Sequence, residues 1–343
     1  MFYIHHISCI SPQGSGESPR GTGSGPGEAG LGLPVGPVDN LFRAVEPKYE
    51  GIPGNVLRRM SKSVRMGVGA SLPLLQWSPD GILIGTGYGG MEDSVKFLKQ
   101  IIEYEEGVLT PGPFVQSTAN AIASQIGLFN HNKGYNTTYV HRGLAFESAL
   151  IDAAMLVKEH PGNSYLVGGV DEISGHNYRF EQAEGWYKKE DFAGGDLYAA
   201  DSPGSIAGEG AALFLLNDSP AGALARVIGI ATLRGENEDA FRAALHLFLD
   251  RHLPDGKKPD LLLSGENGDS RALKWYTICE ALLGLDVAVA RFKHLCGEYP
   301  TAAAFALWLA CTLPLKGSDH QTILIYNNYK FSQHSLILLE KFL

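Results

Sequence analysis

The sequence predicts an α/β fold in which largely parallel strands are covered by helices. Apolar strands alternate with helix-like segments along the whole chain, which is the pattern of strand-helix-strand units. The order strand, helix, strand, helix, strand, strand occurs roughly twice, so we expect one α/β unit to be duplicated. The chain has 343 residues and is 44% hydrophobic, which is enough to bury the core of a large double domain. We divide it into residues 1–216 and a shortened second half, residues 217–343.

The first half opens with a strand, and a segment rich in glycine, proline and serine follows it. Ser11 to Pro37 has few large apolar residues to offset the entropy of ordering, so we expect a flexible loop or insertion. The next helix is indicated by Val56, Met60 and Val64 at near-helical spacing. The predicted strands of this half are Phe2–Ile10, Gly81–Ile84, Thr137–Val140, Ser164–Val167 and Ala211–Leu216, and the predicted helices are Gly54–Gln76, Met91–Glu105, Ser117–Gly127 and Leu144–Glu159.

The second half repeats the alternation from a strand near Ala225. Its apolar runs are short and are separated by helix-length segments, as in the first half. The predicted strands are Ala225–Ala231, Asp260–Leu263, Asp286–Ala290, Thr322–Tyr326 and Ser335–Leu339, and the predicted helices are Asn237–Arg251, Ala272–Leu283 and Ala302–Leu315.

Composition excludes several classes of function. The formal net charge is −9 and no basic run stands out, so nucleic-acid binding is not expected. The four cysteines are far apart and lack metal spacing, which indicates structural thiols in a reducing cytoplasm. The start, MFYIHHISCI, is typical of a strand and not of a signal peptide, and Ala302–Leu315 is too short to span a membrane. We expect no cofactor, no metal and no membrane span.

Three glycine clusters, GTGYGG at 85–90, GGVDE at 168–172 and IAGEG at 206–210, are interpreted as tight turns. The first is a weak phosphate-loop signal, because no acidic residue follows it at the distance of a dinucleotide-binding fold. Asp171, Glu172 and Glu209 could be catalytic carboxylates. We interpret them as caps of turns and helix starts, the usual role of acidic residues beside glycine.

The stretch NTTYVHRGLAFESALIDA, Asn136 to Ala153, predicts a strand that enters a helix through a short turn. A helix start of this kind can display a nucleophile and stabilise an oxyanion. The turn from His141 to Ala145 contains no Cys and no Ser, and Gly143 has no side chain that could attack a carbonyl. The chemistry at this turn decides whether the chain is an enzyme.

Six motifs in order resemble the β-ketoacyl synthase branch of the thiolase-fold family. They are LRRMSKSVRMGVGA at 57–70, ILIGTGYGG at 82–90, FVQSTANAIASQIGL at 114–128, KGYNTTYV at 133–140, SYLVGGVDE at 164–172 and SPGSIAGEGAA at 202–212. The resemblance covers residues 1–216 and continues more weakly through KPDLLLSGENG at 258–268 and FKHLCGEYPTAAA at 292–304. It implies a thiolase-like duplicated α/β unit, layered α-β-α-β-α with two mixed sheets.

The resemblance also implies that the catalytic residues are lost. The position of the nucleophilic cysteine falls on Gly143, and the two catalytic histidine positions hold Glu266 and Glu298. Lys293 is retained, and NNYKFSQ at 327–333 replaces the family's glycine-rich gating loop. Ionised glutamates accept hydrogen bonds and cannot donate one to an oxyanion, so condensation is not expected. We expect Glu266 and Glu298 to share a proton or to pair with Lys293 or Arg142.

The implied function is that of a chain-length factor, a non-catalytic subunit that pairs with an active ketosynthase and receives chains on an acyl carrier protein. The pathways implied are polyketide, polyene or fatty-acid-type elongation, with aryl-polyene and flexirubin pigment synthesis as a narrower expectation. The heterodimer is expected to pair through Thr137, Thr138, Tyr139 and Val140, together with the helix Ser117–Leu128. Expected acyl-tunnel residues are Phe114, Gln116 and Phe129, for which core packing is the alternative.

Two other functions stay open from sequence. An enzyme with altered chemistry could use Glu266 and Glu298 as an acid/base pair, or Cys296 as a nucleophile, although a buried structural thiol is the better interpretation. Ser148 and His141 are not expected to share a helical face, so activation of one by the other is not favoured. The third possibility is a scaffold that binds an acyl carrier protein without condensing anything.

Overall fold

The computed structural model describes residues 1–16, 36–190, 192, 197–313 and 320–342. The predicted loop Ser11–Pro37 falls partly outside this range, since residues 17–35 are not described. The elements of the first half are β1 (Phe2–Ser11), β2 (Gly14–Gly16), β3 (Leu41–Phe42), α1 (Gly54–Leu57), α2 (Lys62–Leu75), β4 (Gly81–Thr86), α3 (Met91–Glu103), α4 (Pro111–Gln116), α5 (Ala121–Phe129), β5 (Tyr135–Val140), a 3-10 turn (Arg142–Leu144), α6 (Ala145–Glu159), β6 (Tyr165–Asp171), α7 (Gly175–Ala183), β7 (Ala207–Gly208) and β8 (Gly210–Asn217).

The second half contains fewer elements in the described range. They are β9 (Ala225–Arg234), α8 (Glu238–His252), β10 (Leu261–Ser264), α9 (Leu273–Leu283), β11 (Ala288–Arg291), α10 (Lys293–Cys296), α11 (Ala302–Thr312), β12 (His320–Tyr329) and β13 (Gln333–Phe342).

The strand order is the same in both halves. The first half runs β5-β4-β6-β8-β1 and the second runs β11-β10-β12-β13-β9. In each, the first three strands are parallel and the last two pairings are antiparallel. Strands β1 and β9 join the two mixed sheets along one edge through three residue pairs, from Phe2↔Val227 to Ile4↔Ala225. The duplicated α/β unit is confirmed, while its division at residues 216 and 217 stays a prediction.

Three apolar clusters produce the α-β-α-β-α layering. The largest lies between the two sheets and contains α6 and α11, while α2 and α5 cover one outer face and α8 and α9 the other. Helix α11 is almost wholly buried, as expected for an apolar segment inside a core. Within the described residues, no helix is both long enough and apolar enough to cross a membrane.

Several predicted boundaries were wrong for local reasons. The predicted helix Gly54–Gln76 is two helices, because Ser61 is extended and starts α2 as its N-cap residue. The predicted helix Ser117–Gly127 begins only at Ala121, after the separate short helix α4, which has proline in its first turn. Gly14–Gly16, predicted as loop, pairs with β1 as β2. The end of the predicted helix Ala302–Leu315 lies outside the described residues.

Candidate functional site: a closed strand-to-helix turn

The turn between β5 and α6 is held by the opposite half of the chain. The side chain of Gln333 on β13 accepts a hydrogen bond from the Gly143 N–H at 3.1 Å and donates to the His141 carbonyl at 3.2 Å. Arg142 has a φ of 49°, a left-handed conformation that is unfavourable for a residue with a side chain. The turn therefore keeps a strained backbone of the kind found where nucleophiles are displayed, but its buried member is a glycine.

Tyr329 fills the space in front of Gly143. A Cβ atom built on Gly143 would lie 2.3 Å from the Tyr329 Cβ, a separation that carbon atoms do not tolerate. The Tyr329 and Tyr88 hydroxyls are 2.9 Å apart, and Tyr88 donates to Glu181 at 2.7 Å. Burial raises the pKa of both phenols, so both stay neutral donors. The turn thus lacks a nucleophile and also the room for one.

A tight hairpin places Tyr329 there. Strands β12 and β13 stay paired as far as Tyr329↔Gln333, and Lys330 and Phe331 make the turn with φ values of 50° and 65°. Lys330 pairs with Glu181, and its Nζ lies 4.8 Å from the centre of the Trp186 ring. This short hairpin is formed by the segment NNYKFSQ, which was expected to replace the glycine-rich gating loop of the resembling family.

A small cavity lies beside Tyr329. It has about 20 Å³ available to the centres of water molecules, which is room for a water but not for an acyl chain. Its lining includes Glu181, Trp186, Asn267, Glu298 and Tyr329. Gly143 and Glu266 are not part of this lining.

Glu298, which stands at the second histidine position, is fully paired. Its Oε1 accepts from Lys293 Nζ at 2.7 Å and its Oε2 accepts from Asn267 Nδ2 at 2.8 Å. Lys293 has no solvent exposure and Glu298 is 8% exposed. Such a buried, hydrogen-bonded ion pair holds structure together and leaves no free donor for an oxyanion. The expected pairing of Glu298 with Lys293 is therefore confirmed.

Glu266, at the first histidine position, has a partner that the sequence did not indicate. It accepts from Arg291 Nε at 2.5 Å, and Arg291 also reaches Glu280 at 3.4 Å. Arg142 is exposed and pairs with neither glutamate. The expectations of a proton shared by Glu266 and Glu298, and of pairing with Arg142, were wrong, because each glutamate is neutralised by its own cation from the β11–α10 segment.

The acidic residues of the glycine clusters are caps, as expected. Asp171 accepts from the Gly87 N–H at 2.8 Å and from the Thr301 N–H at 3.1 Å, which ties the two halves together. Burial raises the pKa of Asp171 to about 6. Glu172 caps α2 by accepting from the Ser63 N–H at 3.0 Å, and Glu209 pairs with Lys62 and accepts from two backbone N–H groups.

The alternative nucleophiles have unsuitable surroundings. Cys296 is fully buried, burial raises the pKa of its thiol, and Sγ donates to the Gly297 carbonyl. Contrary to expectation, His141 and Ser148 do approach each other, with Nδ1 to Oγ at 3.4 Å across the 3-10 turn. The Ser148 hydroxyl nevertheless donates to the Leu144 carbonyl at 2.8 Å, so its proton is not directed at the imidazole. Among the described residues, no group of three or more His, Cys, Asp or Glu side chains is arranged to hold a metal.

Glu147 is a buried group that sequence reasoning missed. It lies on α6 one turn beyond Gly143, has no solvent exposure, and neither carboxylate oxygen has a hydrogen-bond partner among the described residues. Burial raises the pKa of this carboxyl to about 7, against the opposing effects of the Ser335 hydroxyl and the Lys293 charge. A glutamate four residues after Gly143, on the face of α6 that also carries Leu150 and Ala154, was the available signal.

The expected pairing strand lies at the edge of the sheet. Strand β5 is hydrogen-bonded to β4 on one side only. Thr137, Thr138 and Tyr139 are half-buried and Val140 is exposed. Of the expected tunnel residues, Phe114 is exposed beside Phe97, Gln116 is buried, and Phe129 packs against the outer cluster of α2 and α5. The assignment of these residues to an interface or a tunnel stays a prediction.

Comparison with known proteins identifies the fold. Residues 40–192 match the family model described as beta-ketoacyl synthase, N-terminal domain, whereas no curated protein matches the sequence. The ishigamide ketosynthase/chain length factor structure is 19% identical with a TM-score of 0.79, and the match covers 99% of each chain. A complex from Xenorhabdus doucetiae, ketosynthase ApeO with its chain length factor ApeC, is 12% identical with a TM-score of 0.74, covering 99% of this chain and 98% of that one.

A third similar structure contains a carrier protein. It is AntDE:AntF, a type II polyketide synthase acyl-carrier protein in complex with its ketosynthase, at 12% identity and a TM-score of 0.76, covering 99% of each chain. The fold and the family match together define a protein of thiolase-like ketosynthase fold. The match to the ketoacyl-synthase model over residues 40–192 and the ketosynthase-like fold agree with the resemblance that the sequence motifs predicted.

Proposed function

We propose that this chain is a non-catalytic ketosynthase-like subunit, a chain-length factor that pairs with an active β-ketoacyl synthase. The observation that carries the proposal is the closed turn: Gly143 offers no nucleophile, and Tyr329 occupies the space that a nucleophile would need. Condensation requires a thiolate to carry the acyl chain and neutral donors to stabilise an enolate oxyanion. The three positions that would supply them hold Gly143, Glu266 and Glu298.

The electrostatics of the site support this role. Glu298 and Glu266 are held by Lys293 and Arg291, so their lone pairs are already used in ion pairs. A negative charge that developed beside them would meet carboxylates, which accept hydrogen bonds and cannot donate them. A glutamate at either of the two positions that the resemblance assigns to catalytic histidines therefore cannot stabilise the oxyanion. Each glutamate forms a structural ion pair instead.

Strand β5 provides the surface for pairing with a partner. Its sequence YNTTYV contains no charge and no proline, and an edge strand without such protection is a template for a further strand. Val140 is 54% exposed and Tyr135 is 43% exposed on this strand. We infer a heterodimer in which β5 pairs with the ketosynthase, and Thr137, Thr138, Tyr139 and Val140 form its centre.

The substrate carrier inferred for the complex is an acyl carrier protein. Two of the similar structures are ketosynthases with a chain length factor, and a third holds an acyl-carrier protein with its ketosynthase. We place the chain in polyketide, polyene or fatty-acid-type elongation in the cytoplasm, with aryl-polyene or flexirubin synthesis as the narrower proposal. Phe114, Gln116 and Phe129 are the residues proposed to wall the partner's acyl tunnel.

The test is co-expression with ketosynthases that carry an intact Cys/His/His set, beginning with one encoded next to this chain. We expect a stable 1:1 complex and chain elongation that neither subunit performs alone. Val140→Lys should abolish the complex, because an ammonium group would be buried at the pairing edge. Val289→Lys on β11, the opposite edge of the sheet, is the matched control and should leave it intact. An active ketosynthase that elongates equally well without this chain would refute the proposal.

A further inference from the structure

Helix α3 exposes an apolar stripe that has no partner in the described part of the chain. Met91, Val95, Leu98 and Ile102 follow one another at spacings of four, three and four residues, which is the spacing of a helix–helix seam. Leu98 is 57% exposed and Ile102 is 79% exposed, whereas Asp93 is the only buried residue of the helix. The stripe therefore faces outward and is not the side on which α3 rests on its own subunit.

The opposite face of α3 holds the helix in place. Phe97 contacts Phe114 of α4 on this face, with ring centres 5.2 Å apart, and Lys99 Nζ, on one flank of the stripe, lies 3.3 Å from His176 Nε2 of α7. Because these contacts fix the helix on one side, the stripe on the other side is presented as a preformed docking surface. Amphipathic helices of soluble proteins normally bury such a stripe.

The charges beside the stripe indicate what covers it. With Val95 and Ile102 at a positions and Met91 and Leu98 at d positions, Glu92 and Lys99 both occupy e positions on the same flank. In an antiparallel pair of identical helices, e positions face e positions, so Glu92 of each helix lies opposite Lys99 of the other. Glu92 has no close cation among the described residues: its Oε1 lies 3.9 Å from Lys96 Nζ, and its Oε2 is buried without a hydrogen-bond partner. The flank is self-complementary in the antiparallel orientation.

We propose that α3 is a second interface, at which two copies of this chain associate through antiparallel α3 helices. The stripe belongs to α3 and not to β5, so association through it would join two heterodimers with a ketosynthase into a dimer of heterodimers. The helix is only about 20 Å long, which limits the buried area and predicts weak association.

The experiment measures self-association of the full chain by sedimentation in the V140K background, which removes pairing through β5. Leu98→Glu should abolish association, whereas Leu285→Glu, at a fully exposed leucine of the second half, should not change it. Glu92→Lys and Lys99→Glu should each raise the dissociation constant at least tenfold, since like charges then face each other. All four substitutions are at exposed or half-exposed side chains, and an unchanged circular dichroism spectrum checks the fold.

The decisive arm mixes the two charge variants. The E92K and K99E chains should associate with each other as tightly as the V140K parent associates with itself, because each then meets the opposite charge. A parent that stays monomeric up to about 1 mM, or a mixture that fails to associate, would overturn the proposal. Pairing with a ketosynthase is measured separately through β5, so a failure at α3 leaves that result unaffected.

Discussion

The two halves of this chain repeat one strand order, yet a buried glutamate is left without a partner in the first half and is ion-paired in the second. In the first half, α6 follows the edge strand β5 and carries Glu147, whose two oxygens have no hydrogen-bond partner among the described residues. In the second half, α10 follows the equivalent edge strand β11, and Glu298 just beyond it is satisfied by Lys293 and Asn267. The ion pair of the second half contributes structure, whereas Glu147 of the first half costs stability when it is ionised.

Both halves contribute to the surroundings of the turn between β5 and α6. On the second-half side, Glu266 and Glu298, which the resemblance assigns to catalytic histidine positions, each have a cation partner. On the first-half side the turn is closed by Tyr329 from the second half. Under the proposed function, the second half contributes paired glutamates to the site and also the tyrosine that fills the space in front of Gly143.

The largest effect is expected when the paired glutamate is changed. Glu298→Gln leaves the Lys293 ammonium buried without its counter-charge and should lower the free energy of unfolding by about 3–5 kcal/mol. Chemical denaturation at pH 7 measures this. Glu280→Gln, at the half-exposed outer partner of Arg291, is the matched control and should cost less than about 1 kcal/mol. Equal costs for the two variants would contradict the structural role assigned to the buried Lys293–Glu298 pair.

Removing the charge of the unpaired Glu147 should raise the free energy of unfolding, the opposite of the effect at Glu298, and the size of this effect should depend on pH. Burial raises the pKa of Glu147 to about 7, so the folded chain favours the neutral carboxyl. Its stabilising effect is fully present below the unfolded pKa, about 4.3, and is lost as pH rises through 7. Glu147→Gln should change stability little at pH 4.5 and increase the free energy of unfolding by up to about 3 kcal/mol at pH 8.

The control for that prediction is Glu159→Gln, at an exposed position of the same helix. It should show no such pH dependence between pH 4.5 and 8. The charge facing Glu147 is Lys293, so the pH dependence should weaken when Glu298→Gln frees Lys293 to pair with Glu147. A Glu147→Gln variant that is less stable than the parent at pH 8 would contradict the contrast drawn here.

A smaller effect tests the filling of the turn. Gly143→Cys forces a side chain against Tyr329 and should cost about 1–3 kcal/mol by overpacking. In a Tyr329→Gly background the same substitution should cost markedly less, which a double-mutant cycle measures. Gly54→Cys, at a glycine whose added Cβ meets no atom within 4 Å, is the control and should be near neutral. Gly143→Cys alone should not restore condensation, because Glu266 and Glu298 remain.

The sequence was sufficient for the architecture and for the missing groups. Alternating apolar periods predicted both repeats, and residue identity alone excluded a nucleophile at Gly143. It also gave pairing with Lys293 as one of several alternatives for the two glutamates, and the structure shows that alternative at Glu298. These features depend on local pattern, which a sequence carries directly.

The contacts that close the site could not be predicted in the same way. Tyr329 reaches Gly143 across 186 positions of the chain, and Arg291 reaches Glu266 between two parallel strands, so both depend on tertiary registration. The break at Ser61 and the turn at Lys330 depend on backbone conformations that several residue types can adopt. Glu147 was visible as a glutamate on an apolar face, but its lack of a partner appears only when every surrounding group is placed.

The central claim, that this subunit carries no acyl chain itself, is tested most directly by intact-protein mass spectrometry. The purified chain would be incubated with acyl- and malonyl-loaded acyl carrier protein, in the presence and absence of its ketosynthase. We predict an unchanged mass for this chain in both cases and an acyl adduct on the ketosynthase alone. An acyl adduct on this chain, at Cys296, Ser148 or any other residue, would contradict the account.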